Sequence, residues 1–291
     1  MILTEHPRPS HTFVHLSDTH LPAERAPLYG GADADGNLEL LLRRLTESGS
    51  RPEALLLTGD LTDKGDRSAY RRLKALVDET AQALDCQVVW AMGNHDHRDA
   101  FREVLLGSEG DGPVVSVNWF GGLRVIALDS TVPGEHWGQV DDEQLAWLRG
   151  ELATPAPAGS ILLIHHPPLP TVLDLAVTVE LRGQARLADV LRGSDVRAIL
   201  SGHVHHPSFG TFAGIPVSVA SSSAYGQDLS QPPGATRGQD ATQGYNLVHV
   251  YRDTIVHSAV GLERGSDVGE PVPPDEAHRR ITGAGIGWRE H

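Results

Sequence analysis

Apolar residues fall in short runs separated by polar stretches rich in glycine and proline, and two periods alternate along the first third of the chain. Phe13-Val14-His15-Leu16-Ser17, Ala54-Leu55-Leu56-Leu57-Thr58 and Val88-Val89-Trp90-Ala91 are strand-length runs closed by small or polar residues, which reads as buried strands. Between them, Leu38, Leu41, Leu42 and Leu45 share a helical face, as do Tyr70, Leu73, Leu76, Val77, Ala81 and Leu84. The spacing predicts a helix over 38–47 capped by Asn37, and a second from the cap Asp66 to about Leu84. A short helix is predicted near 100–106. Strand, helix, strand, helix, strand is the order of a parallel sheet with helical crossovers.

Past Val114 the pattern changes. Runs at 114–120 and 123–128 flank Gly121-Gly122 and predict a hairpin. A helix over 141–152, a strand at 160–164, a helix at 184–191 and a strand at 196–200 follow. Four short β segments are expected near 208–212, 215–220, 245–251 and 254–260. In 169–183 alternation and helical period compete, and no element is assigned. The polar, Gly/Pro-rich stretch 221–244 reads as a mobile or functional loop. Residues 1–12 read as a loose arm, 13–262 as one domain and 263–291 as a weakly ordered tail. With 291 residues and 40% hydrophobic content the chain can bury a large core.

What the predicted strands deliver is chemical. Leu55-Leu56-Leu57-Thr58-Gly59-Asp60 ends a buried strand at a carboxylate, and in open α/β sheets ligands bind at that end. Four more stretches do the same: Ser17-Asp18-Thr19-His20, Gly93-Asn94-His95-Asp96, His165-His166-Pro167-Pro168 and Gly202-His203-Val204-His205. The 16 histidines concentrate in such clusters, which read as metal sites. Oxygen and imidazole donors without a thiolate suit first-row metals and disfavour structural zinc. Two metals roughly 3.5–4 Å apart need a ligand both can share; a carboxylate serves and an imidazole does not, which points to Asp60. In Asp18-x-His20 and His203-x-His205, side chains two apart lie on one side of extended chain, so one loop can offer a ligand to each metal.

The net charge of −14 argues against a nucleic-acid surface. It does not argue against a small phosphorylated substrate, because bound metals reverse the local sign. The single cysteine, Cys86, excludes an intrachain disulfide and fits a reducing compartment. No apolar run of about 18 residues suggests a membrane span, and the first residues lack a signal-peptide core. A cytoplasmic protein is expected.

Taken in order over residues 14–206, the blocks Asp-x-His, Gly-Asp, Gly-Asn-His-Asp, His-His and Gly-His-x-His resemble the calcineurin-like metallophosphoesterases. The resemblance implies the metallophosphoesterase fold, α/β in its α+β, four-layer αββα form: two mixed β-sheets flanked by helices, with the site at the strand ends. Leu128-Asp129-Ser130 with Gly134, Gly138, Gln144, Trp147 and Leu148 is similar to the class III cyclic-nucleotide phosphodiesterases. Arg51-Pro52, Asp63-Lys64-Gly65, Val177-Thr178-Val179-Glu180-Leu181 and Gly214-Ile215-Pro216-Val217-Ser218 resemble their actinobacterial branch.

By that resemblance Asp18, His20, Asp60 and His205 hold one metal, and Asp60, Asn94, His165 and His203 hold the other. Iron with manganese is the expected pair, with zinc or two manganese ions as alternatives. The expected reaction is hydrolysis of 3′,5′-cAMP to 5′-AMP, extending to cGMP and 2′,3′-cyclic nucleotides, by in-line attack of a hydroxide bridging the metals. His20, Asp60, Asn94, His95 and His205 face the substrate. Asn94 and His95 are the catalytic candidates, His95 as phosphate contact or leaving-group acid, with Asp63 orienting it. The alternative is a broader phosphodiesterase or phosphomonoesterase. Protein phosphatases of the superfamily carry Gly-Asp-x-x-Asp-Arg-Gly and Gly-Asn-His-Glu; Lys64 and Asp96 stand here instead and count against that activity. A homodimer, with peripheral association at the cell envelope as an option, completes the implied picture. Outside the ligand set, Asp96 is expected to brace its loop and His166 to bond locally. His136 and His206 are expected at the surface. Tyr225 and Trp137 are candidates to stack a base or simply to pack.

Overall fold

The structure is a computed structural model that describes residues 2–262 and 265–290. The alternation in Leu55-Leu56-Leu57 shows how the layers form. Leu55 and Leu57 turn with Val14 and Leu16 toward two helices, Ala34–Glu47 and Arg67–Leu84, meeting Leu38, Leu41, Leu45, Tyr70, Leu73 and Val77. Leu56 points the other way with Phe13 and Val89, into a core shared with Val125, Ile161 and Leu163 of a second sheet. That sheet turns Ile126, Leu128, Leu162 and Ile164 outward onto helices Asp142–Leu152 and Gln184–Leu191. Three apolar layers therefore separate helix, sheet, sheet and helix, the αββα sandwich expected.

In the first sheet the strands lie in the order Ile255–Gly261, Gly244–Val250, His11–Leu16, Ala54–Thr58, Gln87–Ala91. The last three are parallel, and Gly244–Val250 runs antiparallel to both neighbours. The second sheet runs Ser208–Phe212, Ile215–Val219, Val196–Ser201, Ser160–Ile164, Leu123–Leu128, Ser116–Phe120. Its four middle strands are parallel and its two edges antiparallel. The parallel strands of both sheets aim their C-terminal ends at one cleft. The hairpin at Gly121-Gly122 forms as expected, with Phe120 opposite Leu123.

Several boundaries differ from expectation. The first helix starts at Ala34, one turn early, and its cap is Asp33, whose carboxylate accepts from the Gly36 amide, not Asn37. The predicted helix at 100–106 begins at Arg98 and runs into a wider π turn over Arg102–Leu106. The unassigned stretch holds a 3-10 helix, Asp174–Val179, whose residues are all at least partly exposed; with nothing buried, its apolar residues follow no core period. The first strand takes in His11 and Thr12 from the expected arm. Ile2–Leu3 of that arm pairs in parallel with Ile286–Gly287, and Pro274–Gly283 is helical without burying a residue. Met1, Glu263, Arg264 and His291, the edges of the expected arm and tail, lie outside the described residues.

Polar side chains also enter the layer between the sheets, His15 and Asn246 among them. His15 Nε2 bonds the Thr58 hydroxyl at 2.8 Å, and its Nδ1 meets no hydrogen-bond partner among the described residues. Burial, reinforced by repulsion from His257, pushes the His15 imidazole down to about 3. The unfolded chain therefore takes up this proton below about pH 6.5 while the folded chain does not. Stability from this source is complete above that pH and is lost as pH falls, by about 2 kcal/mol at pH 5. Thermal unfolding at pH 7 and pH 5 is expected to show a smaller acid-induced drop in Tm for His15→Gln than for the native chain. Equal drops would refute this assignment.

Candidate metal and active site

Strands from both sheets end at the cleft. The first sheet delivers Asp18 and His20, Asp60, and Asn94 with His95; the second delivers His165, and His203 with His205. The backbone there is unusual. Asp18, His20, Asp60, His203 and His205 take φ of 53°, 42°, 49°, 75° and 55°, the left-handed region. Non-glycine residues rarely hold it, and each such residue costs of order 1 kcal/mol or more. Five of the seven predicted metal ligands are thus bent back by strained turns. This replaces the extended-chain argument for the i, i+2 pairs: the turns, not a pleat, bring both members into the cleft. Gly59 at φ 95° lets the Asp60 turn pass the 92–93 backbone, where a Cβ would stand 2.5 Å from the Gly93 nitrogen. Amide bonds from Asp18 to the Gly59 carbonyl (3.0 Å) and from Gly202 to the His165 carbonyl (3.0 Å) lock the turns together.

The imidazoles are oriented by a repeated device. His165 Nδ1 donates to the Thr58 carbonyl at 2.7 Å, His205 Nδ1 to the Tyr225 carbonyl at 3.0 Å, and His203 Nε2 to the Val179 carbonyl at 2.8 Å. A carbonyl only accepts, so each bond fixes the tautomer and leaves the other ring nitrogen with a lone pair. Those nitrogens converge. His205 Nε2 lies 3.0 Å from His20 Nε2, and His165 Nε2 lies 3.2 Å from both Asp60 Oδ2 and Asn94 Oδ1. His203 Nδ1 is buried without a partner among the described residues.

Asp60 stands between the two groups. Its Oδ1 accepts the His95 amide at 2.9 Å, which turns Oδ2 toward His20 Nε2 at 3.5 Å and His165 Nε2 at 3.2 Å. Burial opposes charge on both Asp60 and His165, yet their attraction prevails. It holds the Asp60 carboxyl well below the usual carboxylate range and lifts His165 to about 9. Asp18 completes the set with both oxygens 3.0 Å from the His203 amide and Oδ1 3.6 Å from His205 Nε2. Once the His165 proton and the His20–His205 hydrogen bond give way, these nitrogens and the carboxylates would present lone pairs to a cation. Asp18, His20, Asp60 and His205 converge closely enough to share one ion. His165 and His203 approach with a third imidazole, His166. His166 has no nitrogen to spare: Nε2 donates to the His136 carbonyl at 3.1 Å and Nδ1 accepts from Ser130 Oγ at 2.8 Å. Its bonding is local, and Asn94 Oδ1 occupies the place beside His165 instead.

His95 donates from Nδ1 to a main-chain oxygen of Asp63, at 2.8 Å; the Asp63 carboxylate stays 3.9 Å away and accepts instead from the Tyr29 hydroxyl at 2.8 Å. The carboxylate expected to orient His95 therefore does so only through its own backbone. Asp96 braces the loop as expected, accepting from the amides of Leu61 and Gly93 and from the Tyr70 hydroxyl. His136 is not idle at the surface: its Nδ1 lies 3.1 Å from Asn94 Nδ2, which leaves Asn94 Oδ1 for His165. His206 is buried rather than exposed. Trp137 is occupied, with Nε1 donating to Glu135 at 2.8 Å and the Arg182 guanidinium 4.0 Å above its ring. Tyr225 packs against His205, ring centroids 4.3 Å apart. Tyr29, and the carbonyls of Thr58, Val179 and Tyr225, carry no signal in the sequence: a carbonyl has no residue type, and Tyr29 lies in a featureless loop.

Two adjoining spaces open over these atoms. One, of about 390 Å³, is lined by His20, Asp60, Asn94, His95, His205 and Tyr225. The other, of about 990 Å³, extends past Asn94 and His95 to Tyr29, Lys64 and His136.

The family model described as Calcineurin-like phosphoesterase matches residues 11–207, all five donor blocks included. The chain belongs to the calcineurin-like phosphoesterases. Among curated members it is 59% identical over 283 residues to a "Probable cyclic nucleotide phosphodiesterase" of Rhodococcus erythropolis, covering 97% of this chain and 94% of that one. It is 54% identical to a cAMP/cGMP dual specificity phosphodiesterase of Mycobacterium tuberculosis, covering 97% and 89%. Among solved structures, a dimetal phosphatase from Danio rerio superposes with a TM-score of 0.63 at 16% identity, over 88% of this chain and 98% of that one, a likeness of fold. The chain thus carries a metallophosphoesterase domain with a His/Asp site suited to two metals. No helix among the described residues is long and apolar enough to cross a membrane.

Proposed function

We propose that this phosphoesterase opens cyclic nucleotides, 3′,5′-cAMP to 5′-AMP first, with cGMP and 2′,3′-cyclic nucleotides as further substrates. The observation that carries the reading is Asp60 Oδ2, aimed at imidazole nitrogens of both donor groups at 3.5 and 3.2 Å. Asp18, His20, Asp60 and His205 would hold one metal, and Asp60, Asn94, His165 and His203 the other. When bound, two such ions acidify water and offset charge on phosphoryl oxygens. The rest is done by the chain. Asn94, fixed by His136, presents its carboxamide oxygen to the site. His95, with Nδ1 spent on the Asp63 carbonyl, keeps Nε2 uncommitted. Protonated on both nitrogens, the ring contacts a phosphoryl oxygen through Nε2 or gives the Nε2 proton to the 3′ oxygen as the P–O3′ bond breaks, ending as the neutral imidazole. His20, Asp60 and His205 line the floor on which the phosphate rests.

The relatives' names support the nucleotide substrate, and Lys64 and Asp96 depart from the protein-phosphatase pattern. The reading includes residues 13–262 as the catalytic domain, iron with manganese as the resident pair, a homodimer, and a cytoplasmic site with peripheral envelope contact. Metal analysis, sedimentation and fractionation test these in turn. The direct experiment is steady-state hydrolysis of 3′,5′-cAMP by metal-loaded protein beside 2′,3′-cAMP, a glycerophosphodiester and a phosphomonoester. Conversion to 5′-AMP, reduced about a hundred-fold or more in Asn94→Ala, is expected. Turnover of the monoester or glycerophosphodiester with cAMP untouched would move the assignment to the broader esterase activity.

A further inference from the structure

Tyr29 is held in a way its own burial does not explain. Leu28 and Ala32 pair across a tight loop, with amide bonds of 2.7 and 3.1 Å, and pack with Ala34 and Ala224 into a small apolar cluster against Tyr225. Tyr29 sits at the apex in the left-handed region, φ 50°, a conformation that disfavours a bulky side chain. Despite that strain the residue is 67% exposed, on the wall of the larger space beside Asn94, His95 and His136.

Two contacts keep the ring from swinging away. Its hydroxyl donates to Asp63 Oδ1 at 2.8 Å, the oxygen that also lies 4.0 Å from His20 and 3.9 Å from His95. Its ring meets that of Tyr225 nearly at right angles, 5.9 Å between centroids and 83° between planes. The result is a rigid aromatic face, one carboxylate removed from two imidazoles of the site and open to solvent. Tyr225, which lines the smaller space, is already packed on His205, and Trp137 lies under Arg182.

We propose that the open face of Tyr29 is the stacking platform for the nucleobase, and so a specificity-determining residue; the inference rests on the cyclic-nucleotide reading above. In a 3′,5′-cyclic nucleotide the base lies one sugar ring from the phosphorus. A phosphate seated at Asp60 and His95 thus places the base along the wall that Tyr29 forms. An aromatic ring accepts any base by its π face, at about 1–3 kcal/mol per stacked base. A pre-fixed ring gives this with little ordering cost.

The test compares two substrates on the metal-loaded, full-length protein: 3′,5′-cAMP and the methyl riboside 3′,5′-cyclic phosphate, which keeps the reacting group and lacks the base. The native enzyme is expected to favour cAMP in kcat/KM. Tyr29→Ala is expected to reduce that preference about ten-fold, through the KM for cAMP more than through kcat. Tyr29→Phe keeps the ring and is expected to retain most of the preference. Equal losses on both substrates in Tyr29→Ala would overturn the proposal, as would no native preference for cAMP. A Tyr29→Phe variant that loses the preference as fully as Tyr29→Ala would do the same. A native enzyme that leaves cAMP untouched instead removes the substrate reading itself, a failure distinct from these.

Discussion

Asp60→Asn is expected to lose turnover by at least about a thousand-fold, equivalent to about 4 kcal/mol, and to drop bound metal to one ion per chain or fewer. The protein should stay folded. Oδ1 of Asp60 has the structural task of accepting the His95 amide, and a carboxamide oxygen can do that equally. The atom that changes is the one facing His20 and His165 at 3.5 and 3.2 Å. There an NH₂ group would remove both the oxygen that the two metal positions need and the charge that lifts His165 to about 9. The variant also loses the Asp60–His165 attraction of the metal-free chain, so it should melt somewhat below that chain while losing metal and activity together. Elemental analysis after gel filtration, beside a thermal melt, checks this. A variant that kept two metals per chain and near-native turnover would remove Asp60 from the centre of the site.

Arg124→Ala is expected to be the most damaging change far from the cleft, at about 3–5 kcal/mol or about 10 °C in Tm. Arg124 is buried at the start of the strand Leu123–Leu128. One guanidinium nitrogen reaches both oxygens of Asp195 at 3.0 Å, another the Ser160 hydroxyl at 2.9 Å, and a third the Glu151 carbonyl. It thus clamps two strands, the end of a helix and the turn before Val196–Ser201. Truncation leaves the Asp195 carboxylate buried without its cation, and that orphaned charge is the larger part of the cost. Arg124→Met with Asp195→Leu, which removes both charges, should recover part of the loss. A single-variant shift below about 2 °C would mean that solvent reaches Asp195 and replaces the pair.

How much of this was legible in the sequence follows from where the information lies. Leu55-Leu56-Leu57 shows a buried strand because both faces of the sheet are covered, and the same is true of most strands feeding the cleft. That these donors would converge was legible because each follows its strand within a few residues, so order along the chain stands in for position in space. Other features are not written in residue type. Asp33 takes the capping role expected of Asn37 because burial of Ala34 with Leu38 draws in one more turn. Asp174–Val179 has no core face to impose a period. Tyr29 reaches Asp63 across 34 residues. The tautomers of His165, His203 and His205 are set by carbonyls from distant segments, and the left-handed turns that aim the ligands are a property of packing. The sequence thus names the converging donors but not what orients them.

Hydrolysis at phosphorus is tested most directly by 31P NMR of 3′,5′-cAMP turnover by the metal-loaded protein in oxygen-18-enriched water. It predicts 5′-AMP as product with the label on its phosphate, from water attacking phosphorus as the bond to O3′ breaks. No turnover, or label in the sugar rather than the phosphate, would contradict it.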